Sequence, residues 1–185
     1  MPGFLNGQLL IAMPQMDDKR FQNTVLLICS HDSTQAMGVV LNQRHNDLEL
    51  SELAQQVGIG EPRFNANEPI HIGGPVEPSR GIVVHSSEHV LPDTTPINHD
   101  MAMTANIKVL SEIINGVGPN DFIIALGHAS WTAGQLEKEL RDNIWLTMPY
   151  ESDLIFDHSP EEIWGACFTR LGISAGHLST TAGHA

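Results

Sequence analysis

The sequence predicts an α+β fold built on a mixed or antiparallel sheet. Three observations carry that prediction. Apolar strand-like runs come in groups: 7–13, 24–30 and 36–42 near the start, then 70–73 and 81–86. Only a few segments place apolar residues at helical spacing. The strict strand–helix alternation of a doubly wound parallel sheet is missing.

The elements follow in chain order. Residues 7–13 (GQLLIAM) form a strand that stops at Pro14, because proline cannot donate to a ladder. Residues 24–30 (TVLLICS) are continuously apolar, as befits a strand covered on both faces. Residues 36–42 (AMGVVLN) are a third strand, with Gly38 at a bulge or close approach. The turn-like run 31–34 makes a hairpin of the last two. Leu50, Leu53, Ala54 and Val57 share one helical face, and Gly58 stops that helix. Residues 59–69 read as a loop. Strands follow at 70–73 and 81–86, around Gly74-Pro75, and another at 100–104.

Asn106 caps a helix carrying Ile107, Leu110, Ile113 and Ile114. Residues 121–127 (DFIIALG) are a buried strand, and a loop at 127–134 leads into the next helix. Thr132 and Gln135 give that helix a T-x-x-Q capping box. Residues 144–148 and 153–156 read as strands. Ser159-Pro160-Glu161-Glu162 opens the last helix, with Ile163, Trp164, Cys167, Phe168 and Leu171 on one face and Gly172 as its stop. No repeat or linker divides residues 1–185, so one domain is expected.

Composition narrows the function classes. Asp and Glu total 22 against 9 Lys and Arg, a formal net charge of −13. Nucleic-acid binding draws its affinity from neutralised phosphates, so direct DNA binding is disfavoured. The same charge opposes an anionic membrane surface. No leader signal or membrane-length apolar run is evident, and the cytoplasm is the expected compartment. Cys29 and Cys167 sit in apolar contexts and read as buried thiols, too few for a disulfide framework or a cysteine zinc site.

Several segments taken together resemble one family. GQLLIAMPQMDDKRFQNTVLLICSHD, AMGVVLNQ, PIHIGGPVEPSRGIVVHSS, GQLE, WLTMPYESDLIFDHSPEEIWGACFTRLGI and LSTTAGHA are similar to the bacterial AlgH/YqgE family, from about Gly7 to the C-terminus. The resemblance implies a branched sheet curled into a pseudo-barrel with helices around it. It implies the label of transcriptional regulator and no catalytic set. The chain departs from the family pattern at Gly127-His128-Ala129-Ser130-Trp131, where an aromatic is usual before the small pair, and at Gln35, where glycine is usual.

The candidate chemistry is thin. Neither phosphate-loop pattern occurs, and Gly73-Gly74 reads as a tight turn that would also admit a ligand close to the backbone. Arg80 beyond it is a candidate anion contact. The loop 127–134 offers His128, Ser130 and Trp131 beside the helix start at Thr132 and Gly134, where free amides would hold an anion. His71 and His85 flank the Gly-Gly turn. Cys29-Ser30-His31-Asp32 holds the residue types of a nucleophilic site, but strand neighbours point to opposite faces. The ten histidines show no metal-binding spacing, and no cofactor is expected. Asp17, Asp18 and Arg20 mark a polar surface loop that packing does not explain. These features favour an indirect regulator acting through a protein partner or a small anionic ligand. The alternative is a hydrolase or transferase acting on a phosphorylated or acidic metabolite.

Overall fold

The computed structural model describes residues 3–173; the closing LSTTAGHA segment lies outside them. Ten strands join in one curled sheet. They are β1 (Gln8–Ala12), β2 (Val25–His31), β3 (Gln35–Val40), β4 (Arg44–Glu49), β5 (Pro69–Ile72), β6 (Val76–Ser86), β7 (Thr95–Pro96), β8 (Met101–Thr104), β9 (Phe122–Thr132) and β10 (Trp145–Pro149). The main path runs β10-β1-β2-β3-β9-β6-β8-β7, with β4 and β5 branching off it. Every pairing is antiparallel except β5 with β9, so the sheet is mixed, branched and curled into a half-barrel.

Period-two patterning explains the buried strands. In β1, Leu9 and Ile11 enter one core and Leu10 and Ala12 another. Both faces are covered, so the run is continuously apolar. Each fully buried leucine or isoleucine contributes about 1.5–3 kcal/mol over its exposed state.

Strand β9 is the hub. Its first half lies between β5, pairing Ile70 with Ile124, and β6, pairing Val84 with Ile123. Its second half runs along β3, pairing Gly38 with Ala129 and Ala36 with Trp131. The handover falls at Gly127, whose φ is 76°. Gly73 and Gly74 cross β9 at that point. The Gly73 amide donates to the Leu126 carbonyl, and the Gly73 carbonyl accepts from Val40. A Cβ on Gly73 would overlap the Gly127 oxygen, and one on Gly74 would overlap the His128 carbonyl. Here glycine admits the protein's own backbone.

Five helices cover the sheet among the described residues. Helices α1 (Leu50–Val57) and α2 (Ile107–Ile114) close one core with Ile70, Val83 and Ile124. α1 ends at Gly58 in the left-handed region, and the Asn106 side chain caps α2 by accepting from Lys108 N–H. Helix α3 (Gln135–Arg141) covers a second core through Leu136. Helices α4 (Ser152–Phe156) and α5 (Pro160–Arg170) cover the third, with Ile163, Cys167 and Phe168 inward. Ser159 and Glu162 form the expected capping box of α5. None of these helices is long and apolar enough to cross a membrane.

Three expectations are corrected. Residues 127–134 are not a loop: β9 continues to Thr132, and only a short turn precedes α3. Apolar residues beyond Gly127 keep the strand going, because Ala129 and Trp131 alternate into a core. Thr132 does not cap α3; Gly134 does, at φ 73°. Residues 153–156 are helical rather than extended, since Leu154 and Ile155 both enter the core beside α5. β4 went unforeseen because five of its six residues are exposed, leaving no apolar alternation to read.

Candidate functional site

The β1–β2 loop, the end of β9, α3 and the start of β10 enclose a cleft of about 450 Å³. Its lining includes Asp17, Asp18, Arg20 and Phe21 from the loop, Ser130 and Trp131 from β9, Gln135 and Glu139 from α3, and Trp145 from β10. Pro75 and Val76, just after the Gly-Gly crossing, close one side.

The loop is held in place rather than left free. Met16 is buried and anchors it to the core under α3. The Gln15 side chain donates to the Asn143 carbonyl, and that of Gln22 to the Met16 carbonyl. Asn42 accepts from Val25 N–H and donates to the Asn23 carbonyl, while Gln43 donates to the Arg20 carbonyl. Asn23 takes the left-handed φ of 57° that the turn back into β2 needs. Asp18 accepts from Arg20 through both carboxylate oxygens, at 2.6 to 3.2 Å. That hydrogen bonding holds the Asp18 carboxyl below the usual carboxylate range.

At the floor, three N–H donors converge on Glu139. Trp131 and Trp145 donate their indole N–H groups to Oε2, and the Gln135 amide donates to Oε1. A carboxylate offers about four lone-pair sites, so one stays open. Phe21 meets Trp145 edge to face at 5.8 Å, and the Arg20 guanidinium lies 5.8 Å from the Phe21 ring centroid. The lining carries three carboxylates against one guanidinium. The cleft can therefore grip a ligand with apolar surface and hydrogen-bond donors.

The expected site residues divide into groups. Asp17, Asp18, Arg20, Ser130 and Trp131 come together in the cleft. Gly73 and Gly74 lie against β9 and lead directly into the cleft wall at Pro75. The Thr132 amide, expected to be free for an anion, donates to the Gln135 side chain. Gly134 caps α3 next to it. Arg80 bonds to Glu77 at 3.0 Å, and His128 Nδ1 lies 3.9 Å from the same carboxylate. His71 is buried on β5, and no hydrogen-bond partner reaches its Nδ1 among the described residues. Burial pushes its pKa down to about 4, helped by the nearby Arg44 charge. Burial lowers those of His85 and His128 as well.

The other histidines have separate partners. His85 accepts from Thr104 at 2.9 Å, and its Nδ1 lies 2.9 Å from the Ser86 carbonyl. His31 Nδ1 accepts from Leu5 N–H, which places the ring proton on Nε2, facing Glu137 at 3.0 Å. Both ring nitrogens of His31 are thus occupied, and the Cys29 thiol bonds the Leu27 carbonyl. Cys29-Ser30-His31-Asp32 is a strand end and turn; Asp32 Oδ1 accepts from Thr34 and Gln35. Among the described residues no group of three His, Cys, Asp or Glu side chains is arranged to hold a metal ion. Glu139 and Trp145 escaped the sequence reading. For Glu139 the sequence signal is spacing, since Gln135 and Glu139 are one helical turn apart on one face; Trp145 on β10 has none.

Comparison with known proteins bears on the whole chain. A family model described as AlgH-like matches residues 9–176. A UPF0301 protein of Rhodopseudomonas palustris (strain HaA2) is 43% identical over 190 residues, covering 98% of this chain and 87% of the relative. One from Rhodospirillum rubrum is 40% identical over 183 residues, covering 99% and 95%. The solution structure of the AlgH protein from Pseudomonas aeruginosa matches with a TM-score of 0.80 at 40% identity, over 100% of this chain and 98% of that one. A crystal structure from Corynebacterium diphtheriae, 23% identical, matches with a TM-score of 0.76 over 96% and 92% of the two chains, and shares the fold.

Proposed function

We propose that this chain, which belongs to the AlgH-like family, is a regulatory binding module working through the cleft between its β1–β2 loop and α3, and that its effect on transcription is indirect. The cleft carries this reading. Its volume of about 450 Å³ falls within the span of small-ligand sites, roughly 300–1,000 Å³. Its polar groups are positioned in advance by bonds to backbone and side chains, which lowers the ordering cost of binding. The net charge of −13 supports an indirect route, because a DNA-binding face needs clustered cations.

Two measurements test the reading. A strain lacking the gene is complemented with the wild type or with Ser130→Trp, which fills the cleft from an exposed strand position. The folded Ser130→Trp protein, checked by circular dichroism, should fail to restore the wild-type transcript profile. Full restoration would remove the cleft from the function. A gel shift on promoter DNA should give no complex even at low salt; a complex that survives physiological salt would make the action direct.

A further inference from the structure

We propose that the cleft accepts the positively charged end of an organic amine or guanidine, with Arg20 as its intramolecular competitor. The inference rests on the cleft being the binding site and adds the ligand's chemistry. Asp17, Asp18 and Glu139 line the cleft against the single cation Arg20. Arg20 itself shows the chemistry at work. Its guanidinium makes paired hydrogen bonds to Asp18 and lies over the Phe21 ring. That pair is exposed, with 64% of the Arg20 side chain and 37% of Asp18 open to solvent, so it is held weakly and is displaceable. Asp17 is exposed on the same rim.

The lining selects an organic cation over a metal ion. Hard cations need several free oxygen ligands, and three of the Glu139 lone-pair sites already accept N–H donors. An ammonium or guanidinium instead brings donors that the remaining acceptor sites fit. Its carbon stem can lie along Met16, Phe21 and Ile144. An anion would meet three carboxylates, and the strand-end amide of Thr132 is already occupied. The cation can come from a free amine or from a lysine or arginine side chain of a partner.

The test titrates the full chain with agmatine, with an acetylated and amidated Ala-Arg-Ala peptide, and with citrate, reading tryptophan fluorescence from the cleft indoles. Saturation by agmatine and not citrate is expected, weakening as salt rises. The peptide arm separates the sources: agmatine alone means a free amine, and both together mean that a partner's side chain also fits. Asp17→Asn, an exposed change, should weaken agmatine about threefold, and Arg20→Ala should tighten it about threefold. Glu139→Gln should weaken it at least about tenfold. Saturation by citrate alone, or an Arg20→Ala variant that loses agmatine, overturns the cation assignment and leaves the cleft standing. Silence with all three probes overturns the cation assignment, and the Ser130→Trp complementation then decides the cleft by itself.

Discussion

Trp131 and Trp145 donate their indole N–H groups to the same oxygen, Oε2 of Glu139, each at 2.8 Å. The rings meet edge to face, 6.2 Å apart, and both are buried. One carboxylate on α3 therefore ties the end of β9 to the start of β10. Glu139→Ala would leave two buried indole donors without an acceptor, each costing about 1–3 kcal/mol. A loss of about 2–4 kcal/mol in urea unfolding is expected, together with loosened near-ultraviolet signals from the tryptophans. Glu139→Gln keeps one carbonyl acceptor and should lose less. Equal stability of Glu139→Ala and wild type would show that the clamp holds nothing.

Backbone crossing and left-handed φ are separable at two glycines. Gly127 and Gly134 have φ near 76° and 73°, so alanine is strained at both. Only at Gly127 would a Cβ also strike neighbouring backbone, at the Gly74 carbonyl in the β5–β6 connection; nothing stands within 4 Å of one on Gly134. Gly134→Ala should cost about 1–2 kcal/mol. Gly127→Ala should cost at least about 4 kcal/mol and give little soluble protein. Comparable melting curves for the two variants would refute the crossing as the reason for glycine.

The apolar strands are legible because β1, β2 and β3 are covered on both faces and so run almost continuously apolar. The continuation of β9 is not. Gly127 followed by His128, Ala129 and Ser130 reads as a loop, and pairing with β3 together with burial of Ala129 and Trp131 makes it extended. Asp17, Asp18 and Arg20 were visible as a polar excess, and Trp131 as a loop aromatic, but separately. What joins them is Glu139, whose role is tertiary: its donors sit at positions 131, 135 and 145 on three elements. The Thr132 amide is taken up for the same tertiary reason: β9 extends to Thr132, and its N–H donates to the Gln135 side chain.

Both thiols should be silent in the native protein. Burial pushes the Cys29 thiol up to about 12 and the Cys167 thiol up to about 11. The thiolate is the reactive species, and at about pH 8 almost none is present. An aromatic disulfide reagent should label neither cysteine until guanidinium unfolds the chain, then label both. Rapid stoichiometric labelling of native protein would contradict the burial of Cys29 in β2 and Cys167 in α5.

His71 sets an acid limit on stability. Its folded pKa lies near 4, below the free value near 6.5, so the ring is neutral when buried and protonates more readily once unfolded. For a depressed pKa the sign is fixed: the unfolded chain binds more protons between the two values. The contribution is complete above about pH 6.5 and is lost as pH falls towards 4, by an order of 3 kcal/mol. His85 and His128, shifted in the same direction, deepen the slope. His71→Leu removes the titration and the partnerless Nδ1 together. Removing an unsatisfied buried nitrogen costs little, so stability at neutral pH should hold within about 1 kcal/mol. The fall between pH 6.5 and 4 should become visibly shallower in urea melts taken across that range. An unchanged slope in His71→Leu would assign the acid sensitivity to the other histidines.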